Sequence, residues 1–284
     1  MSNSLEPASS VEPPKAVARA RVAAGGFVDT PAFAILSRAG FVARALVYGI
    51  IGLLAFDLAI GHGGKITDQQ GALRTVGQHR FGHFLLVLIA IGLGGYALWR
   101  FFRAALGHGR EGADSGLARI GALGSAISYA LMCAIAVQIL LGGKSSGGGA
   151  KQTASGVFSW PAGRWLVGAA GLVFLGVALF QLIRGIRKKF LEDSKTEQMH
   201  ELALEWLTAL GVVGHVARAI VFGLVGIFLV KAARDRRANE AIGLDGALTK
   251  LHHAAYGDAL LGFAAAGLIA FSVFSLVEAR YRRI

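Results

Sequence analysis

Long stretches of this chain carry no charge. Between Arg80 and Arg100, between Arg119 and Lys144, between Arg164 and Arg184 and between Asp258 and Glu278 there is no Asp, Glu, Lys or Arg. Each run is long enough to cross a hydrocarbon core about 30 Å thick, which takes roughly 20 apolar helical residues. Two further runs, 39–61 and 206–230, are interrupted by Arg44 and Asp57 and by Arg218, yet stay apolar enough to span. Short polar loops separate the six runs and leave no aqueous surface to hide them behind. The pattern therefore predicts an all-α polytopic membrane protein with six transmembrane helices.

Composition agrees: 54% of the 284 residues are hydrophobic, 16% are charged and the mean hydropathy is +0.56. The formal charge of +12 would point to nucleic acid in a soluble protein. In a membrane protein the question is where Lys and Arg fall. The tail, the second and fourth loops and the C-terminus hold seventeen, against eleven in the first, third and fifth loops. The positive-inside rule then places both termini in the cytoplasm, where basic residues attract anionic lipid headgroups and no nucleic acid partner is implied. Residues 1–35, rich in Pro, Ala, Ser and Glu, read as a disordered cytoplasmic tail with no signal peptide. Cys133, the one cysteine, forms no intrachain disulfide and serves as a small apolar residue.

The chain also matches itself. Gly40-Phe41-Val42-Ala43-Arg44-Ala45-Leu46-Val47-Tyr48-Gly49 is echoed by Gly214-His215-Val216-Ala217-Arg218-Ala219-Ile220-Val221-Phe222-Gly223, and Gly71-Ala72-Leu73 by Gly246-Ala247-Leu248. A weaker middle copy pairs Tyr129 with Tyr48, Gly163 with Gly82 and Arg184 with Arg103, and carries Ser125 in place of the intramembrane arginine. Three two-helix repeats follow, at 36–107, 117–190 and 207–284, entering the membrane from the same side and predicting a pseudo-threefold bundle. The Gly-x-x-x-Arg-Ala start, the Gly-Ala-Leu segment and the Gly-x-x-Leu-Leu entry to the second helix resemble the bacterial membrane family called domain of unknown function 1206. That resemblance covers about residues 35 to 284. It implies tandem two-helix units in a bacterial inner membrane, and implies no activity.

Arg44 and Arg218 are the sharpest single residues, because an arginine at a helix centre costs about 2.5–3.5 kcal/mol on insertion scales and calls for a partner. Either they snorkel to phosphates one turn inside the boundary, or they point into a cytoplasmic vestibule holding an anion or lipid headgroup. Asp57, the candidate intramembrane acid, lies 13 residues on from Arg44, too far to pair with it on one helix. His79 and His83 have an i, i+4 spacing that suits a metal if the stretch is helical, but no Cys, Glu or third His supports them. His83 and His215 lie near opposite ends of their helices and do not fit haem. Segments starting near Asp68 and Asp245 read as short amphipathic helices. Ser194 and Glu197 match a capping box ahead of helix five. Glycine pairs such as Gly92 with Gly95 and Gly223 with Gly226 read as close-packing faces.

No phosphate loop, nucleophile with a base, or pair of intramembrane carboxylates is present in the sequence, so no enzyme, catalytic residue, cofactor or metal is expected. The expected role is a scaffold, lipid-interacting element or accessory component, with membrane lipids as partners and room for a homo-oligomer or a membrane-protein partner. The alternative is a small-solute or ion transporter or channel using a cytoplasmic vestibule near Arg44 and Arg218.

Overall fold

A computed structural model describes residues 30–106, 116–142 and 150–282. Most of the tail, and most of the Gly-Ser loop between the two middle spans, lie outside the described residues. The first helix starts at Pro31, inside the stretch read as tail. The helices are α1 (Pro31–Ala59), α2 (Gln69–Gly77), α3 (Gly82–Leu106), α4 (Gly116–Leu140), α5 (Ala150–Phe158), α6 (Gly163–Ile186), α7 (Glu201–Asp235), α8 (Leu244–His252) and α9 (Gly257–Tyr281). A long helix, a nine-residue helix and a second long helix thus follow one another three times.

Six helices, α1, α3, α4, α6, α7 and α9, are long and apolar enough to cross a bilayer. Their outer faces carry exposed Phe84, Ile91, Leu131, Leu172 and Phe263, an apolar surface suited to the hydrocarbon of a bilayer. Exposed Trp160 and Trp165 near the start of α6, and Trp206 near that of α7, suit the two interfacial belts. The protein is a multi-pass integral membrane protein. Its long helices run antiparallel to their neighbours, so the start of α1 and the end of α9 share one end, called here the terminal face. The nine-residue helices lie at the other.

Two of those short helices fall where the amphipathic pattern puts them. Asp68 caps α2 by accepting a hydrogen bond from the Gly71 N–H at 2.8 Å. Ala72, Leu73 and Val76 of α2, like Ala247 and Leu248 of α8, are buried in the bundle. The third, α5, buries only Ala154. His79 and His83 straddle the break between α2 and α3, so they do not share the one helical face that their spacing requires.

Side by side the six spans follow the order α4, α3, α1, α9, α7, α6. Every adjacent pair in that series packs along its length, but α4 and α6, the two ends, do not pack on each other in the same way. The bundle is a ring open on one side. Burial agrees: 11% and 22% of the span positions in α4 and α6 lie inside, against 44–56% in the other four.

Small residues set the closest approaches. A Cβ built on Gly226 would lie 2.9 Å from the Gly171 carbonyl oxygen, and one built on Gly171 would lie 3.0 Å from that of Gly226. The α6 and α7 backbones therefore touch where any side chain would part them. Gly226→Val is expected to destabilise the protein by about 1–3 kcal/mol through overpacking, measured as a lowered melting midpoint in detergent. Gly176→Ala, where nothing lies within 4 Å, should melt with the parent.

Between α6 and α7 the linker turns at Lys188, in the left-handed region at φ 52°, and folds back under the bundle. Phe190 inserts fully buried between Gly211, His215 and Phe274. Lys195 donates its N–H to the Tyr281 carbonyl at 2.8 Å, tying the linker to the end of α9. The capping box does not form: α7 starts at Glu201, and the buried Ser194 hydroxyl instead donates to the Phe190 carbonyl.

Candidate functional site

The last turns of α9 place Ser275, Glu278 and Arg282 three and four residues apart, on one helical face. That face meets α1 at Arg44. The Arg44 guanidinium donates from Nε to Ser275 Oγ at 3.1 Å, from Nη1 to the Tyr96 hydroxyl of α3 at 3.3 Å, and from Nη2 to Glu278. The other Glu278 oxygen accepts from Arg282. Arg282 also donates to Asp193 of the linker at 3.2 Å, and Asp193 accepts in turn from Arg184 of α6. The result is an alternating series: Arg44, Glu278, Arg282, Asp193, Arg184.

Arg44, Glu278, Arg282 and Asp193 are each only 3–6% exposed. The series carries one excess positive charge, and aromatic faces surround its cations. The Arg44 guanidinium lies 4.9 Å from the Phe41 ring centroid and 5.1 Å from that of Phe271; Arg282 lies over Phe41 and Trp99. Tyr96 accepts a further pair of hydrogen bonds from Arg100, at 2.8 and 3.1 Å. Glu278 accepts from a guanidinium on each of its oxygens, and Asp193 accepts from two on Oδ2.

Sequence reasoning singled out Arg44 without its partners. All three of its nitrogens are engaged by protein groups, so it does not reach out to headgroups. Glu278 and Asp193 do not stand out in the sequence, since each merely bounds or follows an apolar run; the i, i+4 spacing of Glu278 and Arg282 is the one visible signal.

Arg218 is placed differently. It is half-buried on the inner side of the open ring, with its guanidinium 4.2 Å from the Phe271 centroid and 5.0 Å from those of Tyr48 and Phe222. Its Nε is buried without a hydrogen-bond partner, and no carboxylate pairs with it among the described residues. Asp57 is exposed on the last turn of α1 and makes no ion pair among the described residues. Arg44 and Arg218 both pack on the Phe271 ring, and Asp57 makes no ion pair with either.

Two further features complete the terminal face. A cleft of about 480 Å³ is lined by Arg38, Lys195, Gln198, Arg280 and Tyr281, and its three cations have no carboxylate partner among the described residues. His215 stacks on Phe190 at 5.2 Å and bonds through Nδ1 to the Gly211 carbonyl. No group of three or more His, Cys, Asp or Glu that could hold a metal occurs among the described residues.

The profile of the family described as Domain of Unknown Function (DUF1206) matches at residues 39–107, 120–188 and 213–282, which together span most of the chain. The chain belongs to the DUF1206 family. It is 34% identical over 252 residues to the uncharacterized protein YxxB of Bacillus subtilis (strain 168), an alignment covering 87% of this chain and 90% of that one. No solved structure matches.

Each DUF1206 match takes in one long helix, one nine-residue helix and a second long helix. Arg44, Ser125 and Arg218 all lie five residues after the start of their match; Arg103, Arg184 and Glu278 all lie four before its end. Glu278 is therefore a charge reversal. Where α9 meets α1, a glutamate faces Arg44. Where α6 meets α7, the corresponding residue is Arg184, which turns to Asp193 and gives Arg218 no carboxylate.

Proposed function

We propose that this DUF1206 protein is a non-enzymatic, lipid-interacting scaffold or accessory component of a bacterial inner membrane, built from three tandem two-helix repeats, with both termini in the cytoplasm. The observation that carries this reading is the closed series from Arg44 to Arg184. It joins α1, α9, the linker and α6 through buried ion pairs between protein groups, an arrangement suited to fixing one geometry. Below it the α1 and α9 interface is dry: Ile51, Ala55, Leu261 and Leu268 are fully buried. The basic cleft at Arg38, Lys195 and Arg280 supports contact with anionic headgroups at the same face.

The test is thiol labelling of single cysteines at positions 51, 55, 261 and 268, with Cys133 replaced by alanine, in intact cells and in inverted vesicles. Silence toward a membrane-impermeant reagent from both sides is expected. Reaction at successive helical turns would instead reveal a water-filled path and favour the transporter reading, for which the open side of the ring beside Arg218 is the supporting feature. Cysteine at position 280 should react from the inverted side alone, and the opposite sidedness would reverse the orientation.

A further inference from the structure

Helices α6 and α7 carry two polar groups that the rest of the bundle leaves without a hydrogen-bond partner. Arg218 is one. The other is Gln181 of α6, which is 7% exposed and makes no hydrogen bond among the described residues. Helices α6 and α7 run antiparallel, with Gly185 against His215 and Ala178 facing Gly223, so Gln181 lies level with Arg218. The buried Nε of Arg218 and the amide of Gln181, on a residue only 7% exposed, both lack the partner that burial calls for.

Arg218 also sits deep. Its guanidinium packs on Phe271, ten residues before the end of α9, or about 15 Å along the helix. A dissolved anion would have to leave water to reach that depth, whereas an amphiphile already in the leaflet can enter sideways. Helices α4 and α6, which flank the opening, are the least covered of the six spans, and the middle repeat supplies Ser125 where the other two supply arginine. The gap lies inside the repeat that has no arginine at this position.

We infer that the opening between α4 and α6 holds an acidic membrane lipid, its phosphate or carboxylate on Arg218 and Gln181 and its acyl chains along α4 and α6. This rests on the lipid-interacting reading above and names the lipid class and its seat. Charge complementarity favours a lipid over a second copy of the chain, because a twofold contact through this opening would bring a second Arg218 to the first.

The experiment is lipid quantification on the full-length protein, purified in mild detergent and washed extensively. Wild type should retain about one acidic lipid per chain by mass spectrometry, and 10 mM inorganic phosphate should not displace it. Arg218→Gln should lower retention at least tenfold and Gln181→Leu severalfold, while Arg218→Lys, which keeps the charge, should retain most of it. Wild-type protein that holds no acidic lipid, lipid freely exchanged for inorganic phosphate, or a lipid-free dimer cross-linked through a cysteine replacing Ile127, which is exposed on α4, would each overturn the inference. None of those results bears on the thiol labelling of the α1 and α9 interface, so the two readings fail separately. If Arg218→Gln does not fold, the wild-type measurement and the contrast between Arg218→Lys and Gln181→Leu still decide.

Discussion

Glu278→Gln should lower stability by about 3–5 kcal/mol, the scale of breaking a buried ion pair by removing one partner. The side chain keeps its shape and its place. What disappears is the negative charge that Arg44 and Arg282 share, and neither cation has a route to water from a site only a few per cent exposed. Arg44 keeps Ser275 and the Tyr96 hydroxyl, both neutral. The readout is the midpoint of thermal or denaturant unfolding in detergent, followed by helical circular dichroism. Replacing both Arg44 and Glu278 by leucine should recover most of the loss, because apolar residues of similar volume often substitute for a buried pair with little penalty. A Glu278→Gln protein that unfolds with the parent would show that the charge series does not hold α1 to α9.

Phe190→Ala comes next in size, also at about 3–5 kcal/mol for a fully buried phenylalanine. The ring is the plug between the linker and the terminal ends of α7 and α9, stacked on His215 at 5.2 Å and edge-on to Phe274 at 5.1 Å. Its edge lies against Gly211, where no side chain could fill the vacated space. The cavity would sit beside Asp193, so loss of the ring should also loosen the ion pairs to Arg184 and Arg282. Phe190→Leu keeps part of the volume and should lose clearly less. Equal unfolding midpoints for the alanine variant and the parent would count against the plug.

The six spans are legible in the sequence because hydrocarbon excludes charge and the runs between charges are long. Two of the nine-residue helices are legible for a related reason: Leu73 with Val76, and Leu248 with Leu251, mark one apolar face. The third is not, because the segment from Ala150 to Phe158 has no leucine and buries a single alanine. Glu278 and Asp193 escape a linear reading since a carboxylate next to a charge-free run looks like the edge of the membrane. Only the packing of the last helix on the first shows that Glu278 lies inside. The open side of the ring is hidden for a different reason. Lipid tails and leucine side chains are alike in polarity, so α4 and α6, with mean hydropathies of 1.9 and 2.4, look no different from spans that neighbours cover.

The clasp between Arg44 and Glu278 spans 234 residues of chain. At a synthesis rate of about 5–20 residues per second, Arg44 leaves the ribosome roughly 10–50 s before its partner exists. Through that interval the first helix carries its cation without the carboxylate that will neutralise it, and a chain cut short anywhere before α9 never acquires one. The charge at Arg44 is thus neutralised only once α9 has been made.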